Sequence, residues 1–309
     1  MAGSSTPTSW RLSLTWCAAG VLIVIVLATI ASLPWTLSIV DEGTSIARFE
    51  ATDPQRALLP PATDSVLGTD RLGRDLLARL LLGGGISLMV GLAAAGTALV
   101  LGTSWGLVAA MAGGKVDSVM MRVVDILYGL PAILLVVLLA VAVDGARQRA
   151  GWSPGSGGRL WLDLMTLWIA IGAVSWLTLA RVVRGQVLSL RQQPFLESAR
   201  VVGVSVPRQV RRYYLPWLAG PIIACTALIV PMAMLSEAFL SFLGIGVREP
   251  LPSWGNLAAS GLSELNPVKS HWWLLLWPCL MIGITLMSLM VLGESIRTKL
   301  DPRQRSVVT

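Results

Sequence analysis

The amino-acid sequence predicts an all-α integral membrane protein, a bundle of six transmembrane helices. Of its 309 residues 54% are hydrophobic and 13% are charged, and the mean hydropathy is +0.71, values outside the usual range of a soluble domain. The charges also leave six long stretches free of charge. Because a hydrocarbon core about 30 Å thick needs roughly 17–25 apolar residues in a helix, each stretch can span it. The six stretches are residues 12–40, 80–114, 126–143, 164–180, 213–236 and 270–293.

The first stretch, residues 12–40, is expected to stay in the protein as the first membrane helix. A cleaved signal peptide is the alternative, but the stretch is far longer than an apolar signal core and has no clear small-x-small exit site. We therefore divide the chain into two parts. Residues 1–60 hold the N-terminal tail, the first helix and the start of an outer loop, and residues 61–309 form the core membrane domain.

Small residues and prolines mark the later helices. Glycines in a membrane helix let a neighbouring backbone approach closely. They crowd the second stretch at Gly91, Gly96, Gly102 and Gly106. Prolines interrupt the fifth stretch at Pro221 and Pro231 and the sixth at Pro278, which predicts kinks or locally broken helices where a pathway runs.

The distribution of Lys and Arg predicts the orientation. With six spans both termini lie on one side of the membrane, and that side carries 14 of the 24 basic residues. The segments on that side are 1–11, 115–125, 181–212 and 294–309. The positive-inside rule therefore places both termini and the 181–212 loop in the cytoplasm. A net charge of +7 suits contact with anionic membrane lipid and needs no nucleic-acid partner.

Residue types that commonly bind metals give no metal-site pattern here. Cys17, Cys225 and Cys279 lie in apolar stretches without paired spacing, so neither a disulfide framework nor a thiolate site is indicated. The single histidine, His271, stands beside two tryptophans, which favours a membrane-interface position. The sequence thus predicts no metal and no cofactor of its own.

Several other functional classes fit the sequence poorly. The segment at Gly113, Gly114 and Lys115 lacks the upstream glycine and the following Ser or Thr of a phosphate-binding loop, and no span carries a known catalytic motif, so no enzyme activity is expected. An ion-coupled secondary transporter usually places ionisable residues at mid-membrane. The central parts of the six stretches have none, and Glu237, just past the fifth stretch, is left as a residue of a translocation cavity or of its outer rim.

The segment between the fourth and fifth stretches, residues 193–216, is the most informative about mechanism. Gly203 suits a left-handed cap that ends a first short helix, and Ser205 followed by Pro207 suits the start of a second. The sequence predicts a cytoplasmic helix-turn-helix, although an amphipathic loop against lipid head groups would have the same periodicity. Its apolar or small residues recur at the three- and four-residue steps of one helical stripe, at Phe195, Ala199, Val202, Val206, Val210 and Tyr213.

The same segment resembles the EAA loop of bacterial ATP-binding-cassette (ABC) importer permeases, whose pattern is EAA, x3, G, x9, I, x, LP. The spacing agrees at every step, with Ser198 in place of the middle alanine and Tyr213 in place of the isoleucine. The matching positions are Glu197, Ser198, Ala199, Gly203, Tyr213, Leu215 and Pro216. In that family the loop docks in a groove of the ATPase subunit, so the resemblance implies an ATPase-coupling role for these residues.

Four further segments resemble the C-type subunit of the dipeptide and oligopeptide permease branch. They are LGTDRLGRD at 67–75, EAFLSFLGIG at 237–246, PSWGN at 252–256 and LDPR at 300–303. The resemblance implies a multi-pass permease subunit in the bacterial cytoplasmic membrane that imports di- or oligopeptides. Import of nickel or another small solute is an open alternative, since nickel permeases resemble this branch closely.

The resemblance also implies a set of partners. They are a B-type permease forming a heterodimer with this chain, two ATP-binding subunits that bind and hydrolyse the ATP, and an extracytoplasmic substrate-binding protein.

Overall fold

The computed structural model describes residues 8–41, 46–149, 156–265 and 269–300. Within these ranges the chain forms ten α-helices and one two-stranded sheet. The helices are α1 (Thr8–Thr36), α2 (Leu76–Ala112), α3 (Gly114–Tyr128), α4 (Ala132–Arg149), α5 (Ser156–Arg191), α6 (Pro194–Val201), α7 (Val206–Gln209), α8 (Leu215–Phe242), α9 (Trp254–Ser263) and α10 (Trp273–Leu300). The sheet pairs β1 (Ile39–Asp41) with β2 (Ile46–Ala47) in antiparallel fashion.

The predicted helical membrane bundle is confirmed, with one correction in the third span. Among the described residues, five helices are long and apolar enough to cross a membrane. They are Ser13–Thr36, Leu76–Ala112, Leu164–Arg191, Val206–Phe242 and Trp273–Lys299. The uncharged stretch 126–143 is not one straight helix, because it begins inside α3 and continues into α4, and these two helices are bent by 96°. Helices α3 and α4 together form a sixth span only if the bent pair is counted as one broken span.

Local backbone chemistry accounts for the break between α3 and α4. Pro131 has no N–H to donate, and its ring disfavours the helical conformation of Leu130 before it. The N–H of Gly129 still caps α3 on the carbonyl of Asp125, 3.0 Å away. By contrast, Pro221, Pro231 and Pro278 all lie inside continuous helices, so none of these three prolines breaks its span.

Helix α2 lies at the centre of the bundle and packs against α1, α5 and α8. The small residues bring the backbones together as the sequence predicts. A Cβ atom on Gly102 would lie 2.7 Å from Cβ of Leu179, and one on Gly106 would collide with the carbonyl oxygen of Ala180 on α5. Gly96 has nothing within 4 Å of such an atom and serves no close contact in this chain.

The bundle has two ends, which we name by a residue at each. The Asp70 end holds the loop before α2 and the loop after α8, since Arg74 bonds to Glu249 there. The Gly203 end holds the C-terminus of α2 and that of α5, since Arg191 donates to the carbonyl of Ala110. The predicted positions of the termini concern residues 1–7 and 301–309, which lie outside the described residues.

Candidate functional site

Residues 193–216 form a hairpin of two helical segments at the Gly203 end. Helix α6 ends in a left-handed turn at Gly203, whose φ is +79°. Val204 N–H donates to the carbonyl of Ala199 at 3.0 Å, and Gly203 N–H donates to that of Arg200 at 2.9 Å. These bonds define a Schellman motif, in which glycine is favoured because the left-handed conformation crowds a Cβ. The predicted cap is confirmed.

The second half of the hairpin differs from the prediction of a separate short helix. Helix α7 continues through a π-helical turn at Val210–Tyr214 directly into α8. Pro207 lies in its first turn as expected, but the Ser205 side chain makes no capping hydrogen bond. Instead, Gln209 Nε2 donates to the carbonyl of Val204 at 2.6 Å. The second half of the hairpin is therefore continuous with α8.

Side chains fasten α6 to the base of α8. The ring of Phe195 stacks on Trp217 with centroids 5.6 Å apart and lies 6.4 Å from the ring of Tyr213. Arg200 Nη2 donates to the hydroxyl of Tyr214 at 3.1 Å. Tyr214 is fully buried, as is Leu196 on α6. Sequence reasoning missed these last two residues, because neither belongs to the three- and four-residue stripe.

The expected single apolar stripe fails at the turn but not on either side of it: Ala199 is buried and Val210 and Tyr213 pack against the core, whereas Val202 and Val206 do not. Val201, Val202 and Val206 are 84%, 81% and 55% exposed, because the turn at Gly203 reverses the chain and ends the helical periodicity. These three valines form an exposed apolar tip around Gly203, which we call the valine tip.

The positions that match the EAA pattern all lie in this hairpin or at its junction with α8. Glu197 and Ser198 are exposed on α6, and Ala199 is buried beneath them. Tyr213 is half-buried, and Leu215 and Pro216 are exposed at the start of α8. The hairpin thus presents polar and apolar groups on a supported backbone, a surface suited to docking on another protein.

A large apolar groove lies between the helices of the bundle. It has a volume of about 1030 Å³ and is lined by α3, α4, α5, α8 and α10. Most of its lining is aliphatic, with a few polar groups such as Tyr128, Ser175, Thr178 and Glu294. Cys225 on α8 also lines it. A groove of this size and character either meets another helical surface or conducts a solute.

Two arginines of α5 hold α3 at the Gly203 end. Arg184 binds Asp117 through two parallel hydrogen bonds of 2.6 Å. Arg181 Nη2 donates to Asp125 at 2.8 Å, and its guanidinium carbon lies 4.0 Å from the ring centroid of Tyr128. A polar pocket of about 460 Å³ adjoins these contacts and also includes Arg122.

Glu237 is not where the sequence analysis placed it. The side chain is 0% exposed and does not line the large groove, so the expected position in a cavity wall or at an outer rim is not met in this subunit. Ser241 donates to Oε1 at 2.7 Å, and the hydroxyls of Ser87 and Ser253 face the same carboxyl group. Polar neighbours from α2, α8 and the N-cap of α9 make this burial tolerable.

The motif at residues 67–75 builds an ion-pair network at the Asp70 end. Asp70 accepts from Arg74 Nε at 2.6 Å and from the backbone N–H groups of Leu72 and Arg74 at 2.9 Å. Glu249 accepts from Arg74 Nη2 at 2.9 Å and lies 3.5 Å from Nη2 of Arg79. Burial alone would lower the pKa of Arg74, but the hydrogen bonds and charges of Glu249 and Asp70 outweigh it and hold that pKa above its ordinary value.

The other three motifs of the peptide-permease resemblance differ in how the structure places them. PSWGN starts α9 with a capping box, in which the Ser253 and Asn256 side chains each bond to the other's backbone N–H. EAFLSFLGIG forms the end of α8 and the turn after it. Of LDPR, residues 301–303 lie outside the described residues.

Comparisons with known proteins agree with the resemblance. Residues 102–306 match the family described as "Binding-protein-dependent transport system inner membrane component". The chain is 38% identical over 261 residues to the dipeptide transport system permease protein DppC of Bacillus subtilis (strain 168), covering 84% of this chain and 75% of that protein. It is 40% identical over 266 residues to the oligopeptide transport system permease protein OppC of Escherichia coli (strain K12), covering 84% and 81%.

A solved structure shares the fold. A chain of the MetNI methionine ABC transporter, in inward facing conformations, superimposes with a TM-score of 0.55 and 16% sequence identity. The match covers 73% of this chain and 98% of that chain.

Proposed function

This chain belongs to the family of binding-protein-dependent transport system inner membrane components, and from that membership we propose that it is a permease subunit of an ATP-driven importer of di- and oligopeptides. The observation that carries the proposal is the exposed hairpin at residues 193–216, which turns in the Schellman motif at Gly203 and is fastened to the base of α8 by Phe195 and Arg200. The peptide class is supported by relatives named as dipeptide and oligopeptide permeases.

We propose that the hairpin couples transport to ATP hydrolysis by a partner subunit. The valine tip supplies apolar area for a groove in an ATPase, and Glu197 beside it supplies a charge that fixes orientation. Two such ATPases would serve one transporter, one under this chain and one under a second permease of the B type. ATP would be bound by those partners, and this chain would need no cofactor.

The Gly203 end is then the cytoplasmic end. The positive-inside rule supports this orientation, since seven of the basic residues lie in the 181–212 segment. The Asp70 end would face outward and receive peptide from an extracytoplasmic binding protein. The chain would accordingly lie in the bacterial cytoplasmic membrane with both termini inside and with anionic lipid around it.

We propose that the large apolar groove forms one half of the translocation pathway, with the second permease supplying the other half. Closure of the ATPase pair on ATP would draw the two coupling hairpins together. Because the hairpin of this chain continues without a break into α8, this motion would tilt the groove-lining helices between inward-open and outward-open arrangements.

Reconstitution tests the proposal directly. The chain is placed in proteoliposomes with its B-type permease, both ATPases and the binding protein, and uptake of a labelled dipeptide, a labelled pentapeptide and radioactive nickel is compared. Peptide uptake that requires ATP and all partners is expected. Nickel uptake without peptide uptake would favour the alternative substrate, and uptake by the isolated chain driven by a proton or sodium gradient would refute the importer mechanism.

A further inference from the structure

The two arginine contacts between α5 and α3 differ in strength. The Arg184–Asp117 pair is bidentate, and the Asp117 side chain is only 13% exposed. The Arg181–Asp125 pair has a single 2.8 Å bond, and the Asp125 side chain is 63% exposed. Bidentate, shielded pairs hold more strongly than single, solvated ones. The first pair therefore fixes α3 to α5, and the second is the one that opens at low cost.

The weaker contact lies directly at the break between α3 and α4. Tyr128 is the last residue of α3, and the chain then turns by 96° into α4. Asp125 and Tyr128 are one helical turn apart on the same face, and Arg181 touches both, one by an ion pair and the other by a cation–π contact at 4.0 Å. The Arg181 side chain of α5 thus contacts two residues in the final turn of α3, just before the bend.

The same contact separates two environments. Tyr128, with Leu127 and Leu130, lines the apolar groove. Arg181 and Asp125 line the adjoining polar pocket. The contact between the Tyr128 ring and the Arg181 guanidinium therefore joins a residue of the groove to a residue of the polar pocket.

Arg181 is also connected to the coupling hairpin. Helix α5 runs without interruption to Arg191, and α6 begins at Pro194 after a short turn. Ten residues of helix, about 15 Å at the helical rise, separate Arg181 from the end of α5. A displacement of the hairpin would reach Arg181 through this rigid segment.

We propose that Arg181 is a positioning residue that holds the cytoplasmic end of the groove closed through its contacts with Asp125 and Tyr128. The proposal rests on the proposed transport function, since it gives the groove a substrate to retain. An exposed ion pair and a cation–π contact together shift a two-state equilibrium by roughly 3- to 30-fold, enough to favour the closed arrangement and small enough for ATP-driven motion to reverse.

The test uses the assembled transporter and the native groove thiol of Cys225 as reporter. Cys17 and Cys279 are replaced by serine, and the labelling rate of Cys225 by a water-soluble maleimide is measured from the Gly203 side. Arg181→Gln removes both contacts and is expected to raise the labelling rate roughly 3- to 30-fold. It is also expected to raise the number of ATP molecules hydrolysed per peptide imported. Arg122→Gln is the matched control, because it removes the same charge from the same pocket without touching Tyr128 or Asp125.

A charge exchange separates a gate from a general structural role. Arg181→Asp combined with Asp125→Arg should restore part of the slow labelling that each single variant loses. Should Arg181→Gln assemble poorly, Arg181→Lys keeps the ion pair and loses the flat contact with Tyr128, and an intermediate labelling rate is expected. Labelling of the Arg181 variants at the rate of Arg122→Gln would overturn the proposal. Labelling does not depend on peptide, so absence of ATP-dependent uptake in the unmodified transporter would count only against the proposed function.

Discussion

The indole ring of Trp254 lies against Gly84 of α2 so closely that a Cβ atom on residue 84 would be 2.6 Å from Cζ2 of the ring. The indole Nε1–H donates to the carbonyl of Leu80 at 2.9 Å, and Trp254 is fully buried. This contact packs α9 against α2 at the Asp70 end. Trp254 is the central residue of the PSWGN motif at 252–256.

Gly84→Ala is expected to destabilise the protein, because the added methyl group displaces the Trp254 ring or the α2 backbone. Overpacking of this kind costs about 1–3 kcal/mol. The measurement is the thermal unfolding midpoint in detergent, followed by tryptophan fluorescence. Gly96→Ala is the matched control on the same helix, since nothing lies within 4 Å of its added Cβ; an equal loss in both variants would contradict the packing explanation.

Gly203→Val is expected to leave membrane insertion intact and to reduce peptide-stimulated ATP hydrolysis. The left-handed conformation costs a β-branched residue roughly 1–2 kcal/mol, so the Schellman turn would reorganise and shift α6 relative to α8. Gly203→Asn should retain most of the activity, because asparagine tolerates the left-handed region. Normal coupling in the valine variant would show that the turn geometry does not matter for docking.

Val202→Asp is expected to weaken binding of the ATPase subunit by tenfold or more without changing stability. The valine is 81% exposed in the isolated chain, so the substitution does not disturb its core. In a docked complex the substitution removes about 1.5 kcal/mol of apolar burial and places a carboxylate against the apolar docking surface of the ATPase. Binding is measured with purified ATPase, and the control variant Val66→Asp, at a valine that is 61% exposed at the Asp70 end, should bind normally.

Asp70→Asn is expected to destabilise the Asp70 end by about 3 kcal/mol, because it removes one of the two carboxylates that pair with the buried Arg74 and Arg79 and leaves Glu249 to compensate both charges. The Arg74 and Arg79 side chains are only 8% and 1% exposed. Hydrogen exchange should increase at backbone amides of residues 68–76 before the rest of the chain. Asp64→Asn changes an exposed carboxylate in the same loop and should have no such effect.

The sequence by itself determined the class of fold and the local shape of the coupling hairpin. A membrane-spanning helix satisfies its backbone hydrogen bonds within its own segment, so the length of an uncharged stretch predicted five of the spans, and only the stretch 126–143 proved to be broken. The turn at Gly203 is equally local, since its two defining hydrogen bonds join residues 199–204 and glycine adopts its left-handed conformation with less strain than other residues.

Only the tertiary structure decided how the helices pair and where their polar groups find partners. Glu237 meets Ser87 and Ser253, and Arg79 meets Glu249, across separations for which no periodic pattern exists. Helices that are apolar on every side carry no stripe that identifies the face turned toward a neighbour. The contact of Trp254 with Gly84 and the contacts of Arg181 with the end of α3 therefore depend on tertiary packing. Each joins two elements that are far apart along the chain, and no local sequence pattern shows that they are close in space.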